Sequence, residues 1–118
     1  MDNDVIDLKD FLDRVQDDKD LMLELFDIFM DDYKQKRQSL KEAVAKKDFE
    51  QIKSLAHSLK GASGNISAKA LRVIFLKLED VGKANNLTGI EQLLSDLDHR
   101  YSELIKRIDE IKKEFQNA

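Results

Sequence analysis

His57 is one of two histidines in a 118-residue chain that has no cysteine, so imidazole chemistry is the first to weigh. Wound as a helix at about 100° per residue, Glu50, Lys53, Ser54, Lys60, Gly61 and Gly64 all fall within about 60° of His57. Ile52, Leu55, Leu59, Ala62 and Ile66 fall on the far side, between about 140° and 220° away. The ring therefore projects to solvent from the middle of a polar face. A single histidine so placed is ordinarily a solvated surface residue. The two glycines argue for more, because each costs about 0.5–1 kcal/mol relative to alanine inside a helix and core packing does not call for them on an exposed face. What they provide is a shallow surface on which another protein's loops can approach the imidazole. Lys53 and Lys60 sit one turn before and one turn after, both within reach of a group attached to the ring. Their charge disfavours protonation of the imidazole, partly offset by Glu50, and only the neutral ring has a lone pair with which to attack.

The elements that must hold this face are helical. Apolar residues recur at three- and four-residue spacing with short connections and no internal repeat, and the chain has no proline. An amphipathic piece around 5–15 leads to Asp17 and Asp18, either of which can cap a long helix over about 19–46. Its core stripe is Met22, Leu25, Phe26, Phe29, Tyr33, Leu40 and Val44. Leu21, Leu23, Ile28 and Met30 carry apolar surface beyond that stripe, to be covered by the short N-terminal helix or, alternatively, by a docking partner. Asp48 with Gln51 has the capping-box pattern and starts the His57 helix, over about 49–65. Ser67 is the expected cap of the next helix, which buries Leu71, Ile74, Phe75, Leu78 and Val81 and stops at Gly82 or at Asn85-Asn86. Thr88 and Glu91 repeat the capping box. The last helix carries Ile90, Leu94, Leu97, Tyr101, Leu104, Ile108, Ile111 and Phe115, an alternation of four and three that forms a heptad seam. Burying all these stripes together predicts an all-α protein, an antiparallel four-helix bundle with a short extra N-terminal helix.

The run Ala56-His57-Ser58-Leu59-Lys60-Gly61-Ala62-Ser63-Gly64-Asn65 closely resembles the phosphorylation motif of histidine phosphotransfer (HPt) domains. It has the His-x-x-Lys-Gly core, a small residue before the histidine, small residues after it and an apolar residue two positions on. The likeness extends to Met22, Leu25, Phe26 and Phe29, to the Asp48-Phe49 helix start and to the 71–78 helix. It departs at Ser67, where many members have glycine, which bears on a helix-end contact more than on the chemistry. The resemblance implies one HPt domain over 1–118, with its core at about 5–115, and a phosphorelay intermediate. Neutral His57, through the ring nitrogen distal to the backbone, would attack a receiver's aspartyl phosphate in line, and the reverse reaction would load another receiver. Lys60 would neutralise the phosphoryl oxygens, with Lys53 as a second cation. Gly61 and Gly64 would give access, and Ser54, Ser58 and Asn65 would meet the partner. The implied partners are response-regulator receiver domains and a hybrid sensor histidine kinase. No cofactor or metal of its own is implied, since the Mg²⁺ belongs to the receiver's acidic pocket. Similar domains occur as free shuttles, as C-terminal modules of hybrid kinases and as the first domain of chemotaxis kinases.

Composition excludes most rivals. The net charge is −4, divided as −9 over residues 1–32, +5 over 33–61 and zero over 62–118. A basic segment with few aromatics beside a strongly acidic one does not suit nucleic acid. No apolar run approaches 18 residues and the acidic start has no basic n-region, so a cytoplasmic protein is expected. A self-contained kinase lacks a GxxxxGK[ST] or GxGxxG loop. A metal or haem bundle lacks inward histidines, His99 lying off the last helix's seam as a solvated residue. The standing alternative is a non-catalytic scaffolding bundle, with the heptad helix as its dimerising element, although a monomer is the expectation.

Overall fold

The computed structural model describes residues 5–116. The one-domain reading over 1–118 extends past that range at both ends. Five helices occupy it: α1 (Leu8–Arg14), α2 (Lys19–Lys46), α3 (Phe49–Asn65), α4 (Lys69–Ala84) and α5 (Ile90–Gln116). The connections between α2 and α5 are too short for anything but antiparallel neighbours. Side-chain pairs confirm the directions. Arg37 of α2 grips Asp98 and Asp27 takes Lys112, so α5 ascends as α2 descends. Lys60 of α3 meets Glu79 of α4, while Gly64 lies under Arg72. The result is the expected all-α four-helix bundle, elongated to 48 × 21 × 20 Å.

Local chemistry explains most boundaries. Asp18 Oδ1 accepts from Leu21 N, which settles the cap of α2, and Lys47 closes that helix in the left-handed conformation at φ 56°. Asp48 Oδ1 accepts from Gln51 N at the start of α3. Two boundary expectations, both helix caps, need correction. Ser67 does not cap α4: Ala68 occupies that position with no side-chain bond, and Ser67 lies one residue earlier at φ 58°. Its hydroxyl instead donates to Asp10 Oδ2 at 2.6 Å. The glycine expected there would suit this backbone, and serine holds it through a bond that ties the α3–α4 turn to α1. Of the two stops offered for α4, Asn85 is the one used: the helix runs past Gly82 to Ala84 and closes with Asn85 at φ 52°. Thr88 is not the cap of α5 either, because Leu93 N donates to Gly89 O and the helix starts at Ile90.

The core is continuous from end to end. Phe11 of α1 meets Phe26 edge-on, and Tyr33 stacks on Tyr101 with ring centroids 3.7 Å apart. The heptad seam of α5 is bundle packing, with Ile90, Leu97, Leu104, Ile108 and Ile111 buried and Leu94, Tyr101 and Phe115 half-buried against the core. The surplus apolar surface of α2 is covered in part: Leu23 and Met30 pack on the core, while Leu21 and Ile28 remain exposed, and Leu25 of the core stripe is itself only partly buried. On α3 the buried set is Ile52, Leu55, Ala56, Leu59 and Ser63, with Ile66 buried just past its end. Ala56 and Ser63 are thus further inside than the helix wheel implies, because α4 packs closely along that flank.

Candidate functional site

His57 projects from the middle of α3 with its side chain 70% exposed, as the spacing of its neighbours predicts. It is not free to rotate. Glu79, on the buried side of α4, reaches across so that its Oε2 lies 2.7 Å from His57 Nδ1. The other carboxylate oxygen accepts from Lys60 Nζ, also at 2.7 Å. Glu79 is itself only 6% exposed in its side chain. The Lys60 ammonium first and the His57 N–H second stabilise its ionised form against the opposing effect of burial, and hold its carboxyl down at about 2. An ionised carboxylate can only accept, so Nδ1 carries the proton and, in the neutral ring, the lone pair belongs to Nε2 on the solvent side.

The approach of α4 to α3 makes this contact possible. A Cβ built on Gly82 would lie 2.7 Å from both the backbone nitrogen and the Cβ of Lys53. Only hydrogen fits there. Gly82 is one helical turn beyond Glu79, so the glycine lets the helices meet beside the carboxylate that reaches His57.

The sequence-derived residues separate into groups. Lys60 is held on Glu79, and Lys53 Nζ lies 3.5 Å from Glu50 Oε1, with its backbone against Gly82. Gly61 has open space around it, whereas Gly64 lies under the Arg72 side chain, 3.5 Å from its Cδ. Ser58 Oγ accepts from Lys36 Nζ at 2.6 Å, and Lys36 also donates to Asp32. Ser54 and Asn65 are exposed on the same helix. His99 is 73% exposed in its side chain on α5, 3.7 Å from Glu103, and lines a surface groove with Val73 and Lys77 of α4. Among the described residues no cluster of histidines and acids could hold a metal ion, and no helix is long and apolar enough to cross a membrane.

Glu79 and Lys36 are absent from the sequence-derived site. A signal for Glu79 exists: it continues the row Leu71, Phe75 and Leu78, and an acid on an otherwise apolar stripe must find a partner. Lys36 leaves no such trace, because an exposed lysine on a long helix is the commonest of surface residues.

The antiparallel helical bundle presents one oriented imidazole to solvent, with its other nitrogen on a lysine-paired carboxylate. The family model described as Hpt domain matches residues 24–114, and the chain belongs to that family. It is a histidine phosphotransfer domain of phosphorelays, a class whose members exchange phosphoryl groups with response-regulator receivers and kinases. The crystal structure of histidine-containing phosphotransfer protein B from Pseudomonas aeruginosa is similar, with a TM-score of 0.82 over 97% of this chain and 96% of that one, at 23% identity. That likeness concerns the fold. No curated protein sequence matches the chain significantly.

Proposed function

We propose that His57 is the phosphoacceptor and that Nε2 is the reacting atom. The observation that carries this reading is the 2.7 Å contact between Glu79 and Nδ1, which leaves Nε2 pointing outward from a 70% exposed ring. In the forward step the Nε2 lone pair attacks the phosphorus of a receiver's aspartyl phosphate. The P–N bond forms as the acyl P–O bond breaks, and the aspartate leaves as a carboxylate. The ring keeps its Nδ1 proton and becomes a phosphoimidazolium, whose positive charge faces the Glu79 carboxylate. Transfer to another receiver reverses these steps. Catalysis of this kind needs mainly position and charge.

Lys60 anchors Glu79 and remains close enough to the ring to meet phosphoryl oxygens, with Lys53 on the other side. Gly61 leaves the approach open, and Ser54, Ser58, Gly64 and Asn65 form the rest of the face that a partner meets. The domain requires no cofactor of its own, the Mg²⁺ being held by the receiver. Its partners are receiver domains and a hybrid sensor kinase, and it acts as a cytoplasmic monomer. In the test, wild type and His57→Gln are incubated with a phosphorylated receiver and Mg²⁺ and analysed by intact mass. Wild type gains one acid-labile, alkali-stable phosphate and the variant gains none. Uptake by the variant, or by neither protein across a broad receiver panel, would overturn the assignment in favour of a scaffolding bundle.

A further inference from the structure

The solvent face of α4 is chemically unlike its surroundings. Val73 and Leu76 are 50% and 42% exposed, two of the four large apolar side chains left in water among the described residues. The other two, Leu21 and Ile28, lie on the acidic N-terminal half of α2. Around Val73 and Leu76 stand Arg72, Lys77 and Lys83, and among the described residues none of these three has an ion-pair partner within 4.0 Å. Asp80 is the one acid on the outer side of this helix. Elsewhere the cations near the site are paired: Lys36 with Asp32, Lys53 with Glu50 and Lys60 with Glu79. A protein of net charge −4 thus keeps an unneutralised basic and apolar strip on one helix.

The strip is continuous with the reacting face. Leu76 and Lys83 lie one turn to either side of Glu79, which bonds His57, and the Arg72 side chain covers Gly64, two turns after His57 on α3. A body seated over His57 and leaning toward α4 would therefore rest on this strip.

We propose that the α4 strip of Arg72, Val73, Leu76, Lys77 and Lys83 is a docking surface for the phosphoryl-exchanging receiver, and that it selects receivers whose surface beside the reacting aspartate is acidic and apolar. This rests on the assignment of His57 as phosphoacceptor. The match is one of charge: an aspartyl phosphoacceptor and the carboxylates that hold its divalent cation make a negative surface, which the unpaired cations complement. Val73 and Leu76 add apolar contacts, one of which lies next to the carboxylate that orients the ring.

The test uses the full chain with Leu76→Asp and Lys77→Glu combined, both residues being exposed and outside the reacting groups. With a phosphorylated receiver that serves the wild type, the variant should show a KM raised about tenfold with kcat unchanged, and a weaker dependence of KM on salt. Loading of His57 by phosphoramidate, which needs no docking, should be the same in both proteins. Equal KM values in wild type and variant would overturn the docking surface. So would binding of wild type, but not variant, to phosphatidylglycerol vesicles without any change in KM, or a wild-type dimer mass that the variant loses. If neither phosphoramidate nor any receiver labels His57, the phosphoacceptor assignment has failed and takes the docking surface with it.

Discussion

Replacing Gly82 by alanine sets two effects of opposite sign against each other. Alanine is about 1 kcal/mol better than glycine inside a helix, so by propensity alone the change would stabilise α4. The added Cβ, however, would lie 2.7 Å from the Lys53 backbone nitrogen, and ordinary contact begins at 3.4 Å. A backbone atom cannot swing aside as a side chain can, so α3 and α4 must part by about 0.7 Å, an overpacking that costs up to about 3 kcal/mol. The net loss is about 2 kcal/mol, which lowers the melting temperature of a domain this size by about 8 °C. The same displacement lengthens the His57 to Glu79 contact from 2.7 Å to about 3.4 Å, near the limit of a hydrogen bond. Gly82→Ala should therefore melt earlier and also transfer phosphate more slowly, measured by thermal denaturation and by single-turnover transfer from a phosphorylated receiver. A variant that melts at or above the wild-type temperature with an unchanged transfer rate would refute the close-approach argument.

Glu79→Gln keeps an oxygen that can accept from His57 but removes the charge facing the phosphoimidazolium, and should slow transfer about 10- to 100-fold while the far-ultraviolet spectrum is unchanged. Because the Glu79 carboxyl is held at about 2 against an ordinary 4.5, its contribution is fully present above about pH 4.5 and is lost as pH falls toward 2. Acid unfolding followed by circular dichroism should show a shallower loss of stability through that window in Glu79→Gln than in wild type. At Ser67, valine should lower the melting temperature, since it removes the bond to Asp10 and places a β-branched residue at φ 58°. Ser67→Gly should do less harm, because freedom at positive φ offsets the lost bond. His99→Ala should load one phosphate as wild type does by intact mass, because the ion-pair partner of His99 is Glu103 of its own helix and not Glu79 or Lys60.

The helices and their directions were legible because each carries a one-sided apolar stripe and short polar connections, and such patterns survive any detail of packing. His57 was legible for the same reason. An imidazole opposite Ile52, Leu55 and Leu59 must face water, and Gly61 and Gly64 beside it have no use in the core. Boundaries read from single residues fared worse. Asp48 capped as expected, but Ser67 and Thr88, equally good caps by residue type, were displaced by the geometry of the turns they sit in. A cap is decided by the backbone conformation at one position, which the turn as a whole sets.

What the amino-acid order determined alone is therefore the set of helices, the face on which the reactive histidine lies and the cations one turn to either side of it. Only the tertiary structure decided how that histidine is held. Glu79 is 22 positions from His57 and on another helix, and its carboxylate reaches Nδ1 because Gly82 lets the two helices close together. Periodicity along one helix constrains which way its own residues point. It carries no information about the axial register between two helices, which interdigitating side chains settle only when the bundle packs.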